Sequence, residues 1–392
     1  MRNVNNEVCR LAASVCLFVV ACQFAFAQSE EPVADDDQNP VATPAVAPDI
    51  RDDELPVKLR RGDLVVVPIP ISNPTLDTGL VAVGAYFYPQ TEEQEKQQPA
   101  SVTAAGVLYT SNDSKLWIVG HQSYWAEDSW RLGGALGRAD LTLTLPLPTS
   151  VGGRDRVDWN IKGDIAFAKL SHAIFGNWFA IVSGRWMDIE QEIGLGVSPD
   201  NVDIDPEDFA LDTEITTVGL GIAVEHDTRD MPLNTYEGHK FELSALFNDE
   251  SLGSDSTYQS YKIAYSSYHE QSKPIVLAWE IQGCAREGTV QIWDACLIPL
   301  RGFSALDYIG MKSVAGQFEA RWRMNSRWGV VGFAGGGYIK DSLFPGRDES
   351  FVPSYGIGLR FMVLKAKRIN LRVDYARSKN SDAFYLSVGE AF

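Results

Sequence analysis

Beyond residue 61, apolar and polar positions alternate with a period of two, most cleanly in the C-terminal third. In 369–375, Ile369, Leu371, Val373 and Tyr375 share one face and Asn370, Arg372 and Asp374 the other. In 354–361, Tyr355, Ile357, Leu359 and Phe361 alternate with Ser354, Gly356, Gly358 and Arg360. Phe318, Ala320 and Trp322 likewise stand opposite Gln317, Glu319, Arg321 and Arg323, and Val218, Leu220, Ile222 and Val224 opposite Thr217, Gly219, Gly221 and Glu225. A period of two predicts strands whose two faces meet different surroundings. The strand windows are 62–70, 79–88, 101–110, 115–125, 130–142, 158–170, 177–189, 214–226, 238–247, 257–268, 274–285, 311–323, 328–338, 352–362, 368–377 and 382–392. An even number of antiparallel strands returns both chain ends to one side of a membrane.

A soluble sandwich also alternates, so the content of the polar face decides. A face open to bulk water carries many Lys and Glu. Here it carries Gly, Ser, Gln and Arg with isolated carboxylates, which suits a confined wet lumen. The chain is therefore read as all-β, a transmembrane antiparallel β-barrel of about sixteen strands over 62–392, wide enough for a water-accessible interior. With both ends on the inner side, the long connections 190–213 and 286–310 face outward. The chain ends on Phe392, with Phe384, Leu386 and Val388 on the lipid face and Glu390 interrupting it.

The first residues change the compartment. Arg2 and Arg10 precede the apolar stretch Leu11 to Phe26, and Ala25-Phe26-Ala27 forms a cleavage site, so 1–27 reads as a secretory signal peptide. Cys22 offers a lipoprotein site as an alternative. Residues 28–61 are acidic and proline-rich and read as a disordered linker. The formal net charge of −18 argues against nucleic-acid binding, which needs a basic footprint. Cys284 and Cys296, twelve residues apart, are expected to form a disulfide in an oxidising compartment. No G-x-S-x-G, H-E-x-x-H or P-loop is present, no cofactor or metal site is expected, and the chain is not read as an enzyme. His226 and Asp227 are adjacent, so they point to opposite faces of a strand and make no dyad. The acidic stretch Asp200, Asp203, Asp205, Glu207, Asp208 and Asp212 reads as a solvated outer loop, with cation binding as the alternative.

Four segments carry a resemblance. Leu300-Arg301-Gly302-Phe303, Gly316-Gln317-Phe318-Glu319-Ala320-Arg321-Trp322, Glu225-His226-Asp227-Thr228-Arg229-Asp230 with Pro232, Asn234 and Gly238, and Pro68 with Asn73-Pro74 and Gly79 occur in this order. Together they resemble the BamA/TamA outer-membrane assembly superfamily of surface-antigen barrels, over about residues 57–392. The resemblance implies that Arg301, Gly302 and Phe303 tuck into the lumen and that Arg301 pairs with Glu319. It implies that Asp227, Arg229 and Asp230 form an inner turn. That family often carries an Asp where Gly335 stands, so one acidic partner of the arginine is expected to be missing. It also usually carries periplasmic docking domains before the barrel, where this chain has only the linker.

Two roles fit the loop arginine: a brace, or a switch. Pro68 and Pro70 share parity and lack N–H donors. They either thin a closing seam between the first and last strands, or end the strand and shape a loop. The resemblance implies outer-membrane insertion or translocation of protein, or of lipid, through such a seam. Its partners would be outer-membrane lipid, an unfolded barrel or exported client, and a separate periplasmic docking protein. The alternative is a passive pore whose Arg321, Arg323, Arg360 and Arg372 favour anions; a surface adhesin is a third reading.

Overall fold

A computed structural model of the protein describes residues 62, 64–146, 156–194, 210–343, 351–365, 368–379 and 381–392. Sixteen antiparallel strands form its wall: β1 (Leu64–Asn73), β2 (Asp77–Phe87), β3 (Val102–Thr110), β4 (Lys115–Trp125), β5 (Trp130–Pro146), β6 (Arg156–Phe175), β7 (Trp178–Gly194), β8 (Ala210–Asp227), β9 (Gly238–Asn248), β10 (Tyr258–Ser272), β11 (Ile275–Gly288), β12 (Ile309–Arg323), β13 (Trp328–Ser342), β14 (Phe351–Leu364), β15 (Ile369–Arg377) and β16 (Asp382–Val388). Each pairs with its chain neighbours, and β1 meets β16 to close the barrel. A two-residue strand, Cys296–Leu297, pairs with β12 from inside the loop that follows β11. One helix, α1 (Glu92–Gln97), fills the β2–β3 connection, closed by a capping box from Thr91 to Gln94.

The outer face is an apolar band. Leu80, Val107, Trp117, Leu136, Val182, Leu220, Ile222, Ile281, Phe318 and Ile357 are all exposed on it. So large an apolar surface is stable only against lipid. Trp125, Trp130, Trp322 and Trp328 stand near the rim where the chain ends, which is the inner rim under the two-ends rule.

The interior departs from the expected wet lumen. On β1–β4 the inward face is apolar as well: Ile69, Ile71, Val81, Val83, Phe87, Val102, Leu108 and Ile118 are buried. They join one core with Leu141, Leu143, Leu145, Trp159, Ile161, Ile189 and Ile215 from β5–β8. These four strands run past their predicted windows, to 17, 20, 17 and 18 residues. Toward their outer ends Leu143, Leu145, Trp159 and Ile161 are buried inside, while Asn160, Lys162 and Glu190 are exposed outside. Burial of about 25 cal/mol per Å2 of apolar surface favours packing that half of the lumen shut over filling it with water. From β11 to β15 the interior also holds buried charges: Glu280, Arg286, Glu319, Arg321, Arg360 and Asp374.

The last strand is also shorter than its window. It ends at Val388, because Gly389 turns at φ +90° and carries Glu390 inward. The interruption that Glu390 makes in the lipid-facing pattern thus marks the end of the strand.

Candidate functional site

The β11–β12 connection does not project outward. From Val290 to Leu300 and through Asp307 it is almost wholly buried inside the barrel, and three attachments hold it there. The Cys284–Cys296 disulfide closes its root. Next to it, the Asp294 carboxylate is an ionic hub that the sequence did not reveal. It pairs with Arg185 of β7 and with the fully buried Arg286 of β11, at 3.2 Å, and accepts the Tyr258 hydroxyl at 2.9 Å. Burial alone would raise this carboxyl, but the two guanidiniums outweigh it and hold it well below the usual carboxylate range.

The third attachment is Arg301. Its Nη2 pairs with Glu319 of β12, and its Nη1 lies 2.6 Å from Oδ2 of Asp374 on β15. Both carboxylates have 0% side-chain exposure. The guanidinium carbon sits 3.5 Å from the centre of the Phe333 ring on β13. Gln317 accepts from Nη2 at 3.3 Å. A planar fork held on three strands fixes position as well as charge.

The missing acid is therefore supplied from elsewhere. A Cβ on Gly335 would lie 2.5 Å from the Gly316 carbonyl, so no side chain fits there. Asp374 takes the role from the strand on the other side of β14. The exchange needs Gly358 as well, since a Cβ there would stand 2.0 Å from Asp374 Oδ1. Asp374 lay on the predicted lumen face, but alternation names a face and not a partner two strands away.

Gly302 adopts φ +106°, and a Cβ on it would press 2.9 Å against the Arg377 backbone. Its N–H donates to the Tyr385 hydroxyl at 2.9 Å, and its carbonyl accepts from Ser381 at 2.8 Å. Phe303 is buried edge-on against Tyr308, ring centres 5.0 Å apart. The loop then reaches the β1–β2 hairpin, where the Ala305 N–H donates to Thr75 Oγ1 at 3.1 Å and Leu306 joins Leu76 in the core.

That hairpin borders the seam. β1 pairs with β2 at ten positions, Leu64↔Tyr86 through Asn73↔Asp77, but with β16 at only one, Ser72↔Leu386. Pro68 and Pro70 lie within β1, opposite Ala82 and Leu80, so the strand does not end before them. Both are exposed on the outer face.

The inner turn after β8 is self-locked. Arg229 grips Asp227 through two bonds, Nε to Oδ1 at 2.9 Å and Nη2 to Oδ2 at 2.7 Å. Asp230 accepts the Tyr236 N–H at 2.9 Å and pairs with Arg368, and Asn234 donates to the Arg368 carbonyl at 3.1 Å. The turn thus crosses the inner mouth to the β14–β15 connection. His226 faces outward, stacked on Trp178, while Asp227 faces Arg229.

Each of the four arginines that suggested an anion pore faces a carboxylate. Arg321 pairs with Glu319 at 2.8 Å, Arg323 with Glu270 at 2.5 Å, and Arg360 with Asp374 at 2.5 Å and Glu390 at 2.7 Å. Arg372 lies 3.6 Å from Asp374. The acidic stretch 200–208 lies outside the described residues, as does the Asp212 side chain. Among the described residues no cluster could hold a metal ion.

Neither a scan of protein-family models nor a search of curated proteins finds a match. Solved structures do match. BamA from Haemophilus ducreyi, in a crystal structure lacking POTRA domains 1–3, is similar with a TM-score of 0.59 and 12% identity, over 84% of this chain and 70% of that one. CdiB from Acinetobacter baumannii gives 0.54 and 12%, over 83% and 59%. CdiB from Escherichia coli gives 0.52 and 9%, over 82% and 62%. The chain spans less than two thirds of either CdiB chain. At these identities the likeness concerns architecture, and the protein has the closed sixteen-stranded barrel fold seen in BamA and CdiB.

Proposed function

We propose that this protein is an outer-membrane barrel that assists insertion or translocation of protein, or of lipid, through the β1–β16 seam. One observation carries the reading: the seam has a single paired position, while most of the β1 edge has no partner strand among the described residues. An unpaired edge is a template for a client strand, which adds by main-chain hydrogen bonds. The buried loop supports the same reading. It runs from the Arg301 cluster to Thr75 beside the seam, so it braces the hairpin that would have to move. The core packed inside β1–β8 and the loop buried beside it favour the wall, rather than the axis, as the route.

The test uses the seam's one register pair. Ser72→Cys with Leu386→Cys places two thiols opposite each other on adjacent strands. The reduced protein is expected to speed the folding of an unfolded barrel client into liposomes, and oxidation to abolish the effect. No acceleration by the reduced protein, or equal acceleration after cross-linking, overturns the proposal.

A further inference from the structure

A small recess, open to solvent, lies at the inner rim under the β12–β13 hairpin. Its charged lining is one-sided: Arg321, Arg323, Arg327 and Arg360 against Glu390. The two deepest arginines are not fully used. Arg321 and Arg360 have side-chain exposures of 6% and 4%, yet Arg321 Nη1 and Arg360 Nη2 have no hydrogen-bond partner among the described residues. Their other nitrogens are committed to Glu319, Asp374, Glu390 and the Phe392 carbonyl. Arg323 is held by Glu270 and lies over the Tyr236 ring, and Arg327 donates to the Met362 carbonyl at 3.3 Å. Buried N–H groups left unpaired are costly, and guanidiniums are suited to phosphate oxygens.

The same recess is bordered by lipid-facing side chains. Trp322 and Trp328 line it and are 54% and 42% exposed on the outer face. Tryptophans at a membrane rim mark the headgroup level. Guanidinium N–H groups and an apolar flank thus meet at the depth where a phospholipid changes from phosphate to acyl chain. We propose that this recess binds the phosphate of an anionic phospholipid of the inner leaflet. Arg321, Arg327 and Arg360 take the phosphate, and the chains lie along Trp322 and Trp328. The apolar flank is what selects a lipid over a free phosphate ion. The site rests on the membrane-spanning reading but not on assembly activity.

The test is titration of the full-length protein in detergent micelles with dioctanoyl-phosphatidylglycerol, inorganic phosphate and dioctanoylglycerol, read by tryptophan emission and unfolding midpoint. The phosphatidylglycerol is expected to bind saturably and raise the midpoint. Dioctanoylglycerol should do neither, and inorganic phosphate should bind at least about tenfold more weakly. Arg327→Gln leaves the carboxylate-bound arginines in place and should weaken binding about tenfold. If that variant fails to fold, Arg327→Lys is read by the same criterion, since it loses the planar fork. Absence of saturable binding overturns the site. Equal binding of dioctanoylglycerol overturns the phosphate role, equal binding of inorganic phosphate overturns the lipid, and unchanged affinity in the Arg327 variant overturns the placement. The Ser72–Leu386 cross-linked protein should bind as tightly as the reduced one, which separates this outcome from any failure at the seam.

Discussion

Arg301 is held at once by two carboxylates, an amide and an aromatic face, so its replacements should differ by which of these they keep. Arg301→Gln leaves Glu319 and Asp374 buried with less positive charge. Breaking a buried pair costs about 3–5 kcal/mol, and the low end is expected because Arg321 and Arg360 still face the two acids. Arg301→Lys keeps the charge but loses the fork, and should fall between Gln and wild type in urea unfolding from detergent. Asp294 gives a prediction in pH. Its folded carboxyl lies below its unfolded value, so its contribution is present above the ordinary carboxylate range and lost as pH falls through the folded value. Protease cleavage within 289–308 should therefore be unchanged between pH 8 and pH 5 and rise only in stronger acid. At this scale the motif around Arg301 and the acid at Glu319 could be read from residue order. The pairing of Asp374 with Arg301 and of Asp294 with Arg185 could not, because these partners stand 73 and 109 residues away in sequence.

The strand windows were legible because one face meets lipid and the other does not, and all sixteen have counterparts in the wall. Where both faces are apolar, as on β1–β4, alternation located the strands and said nothing about a dry interior. β16 ends short of its window because Gly389 terminates the strand before Glu390. A short β16 leaves β1 thinly paired, and this has a measurable sign. In hydrogen exchange, the β1 amides that point away from β2 should exchange at least about a hundredfold faster than those of β7 and β8. Equal protection would mean that the seam is sealed in solution.

Over the whole molecule, the core packed inside β1–β8 and the buried loop fill much of the lumen among the described residues. Single-channel recording should therefore show brief or small openings rather than a large steady anion conductance. Gly358→Ala, which crowds Asp374, should destabilise the Arg301 attachment and make such openings more frequent. The closed barrel and its outer apolar band were legible from period and composition. The division of the interior into a dry side and an ionic side was not, because it depends on which wall the loop lies against.

The dry side has a consequence for how the chain comes to be folded. The inward residues of β1–β8 are covered in part by Ile292, Trp293, Ala305 and Leu306, which lie after β11 in the chain. Until that segment arrives, the first half is a sheet sticky on both faces, with its closing contacts the most distant in sequence. Such contacts form late and leave aggregation-prone intermediates. The N-terminal half thus lacks part of its inner cover until residues 292–306 have been made, and the order of synthesis sets the order in which the dry side can close.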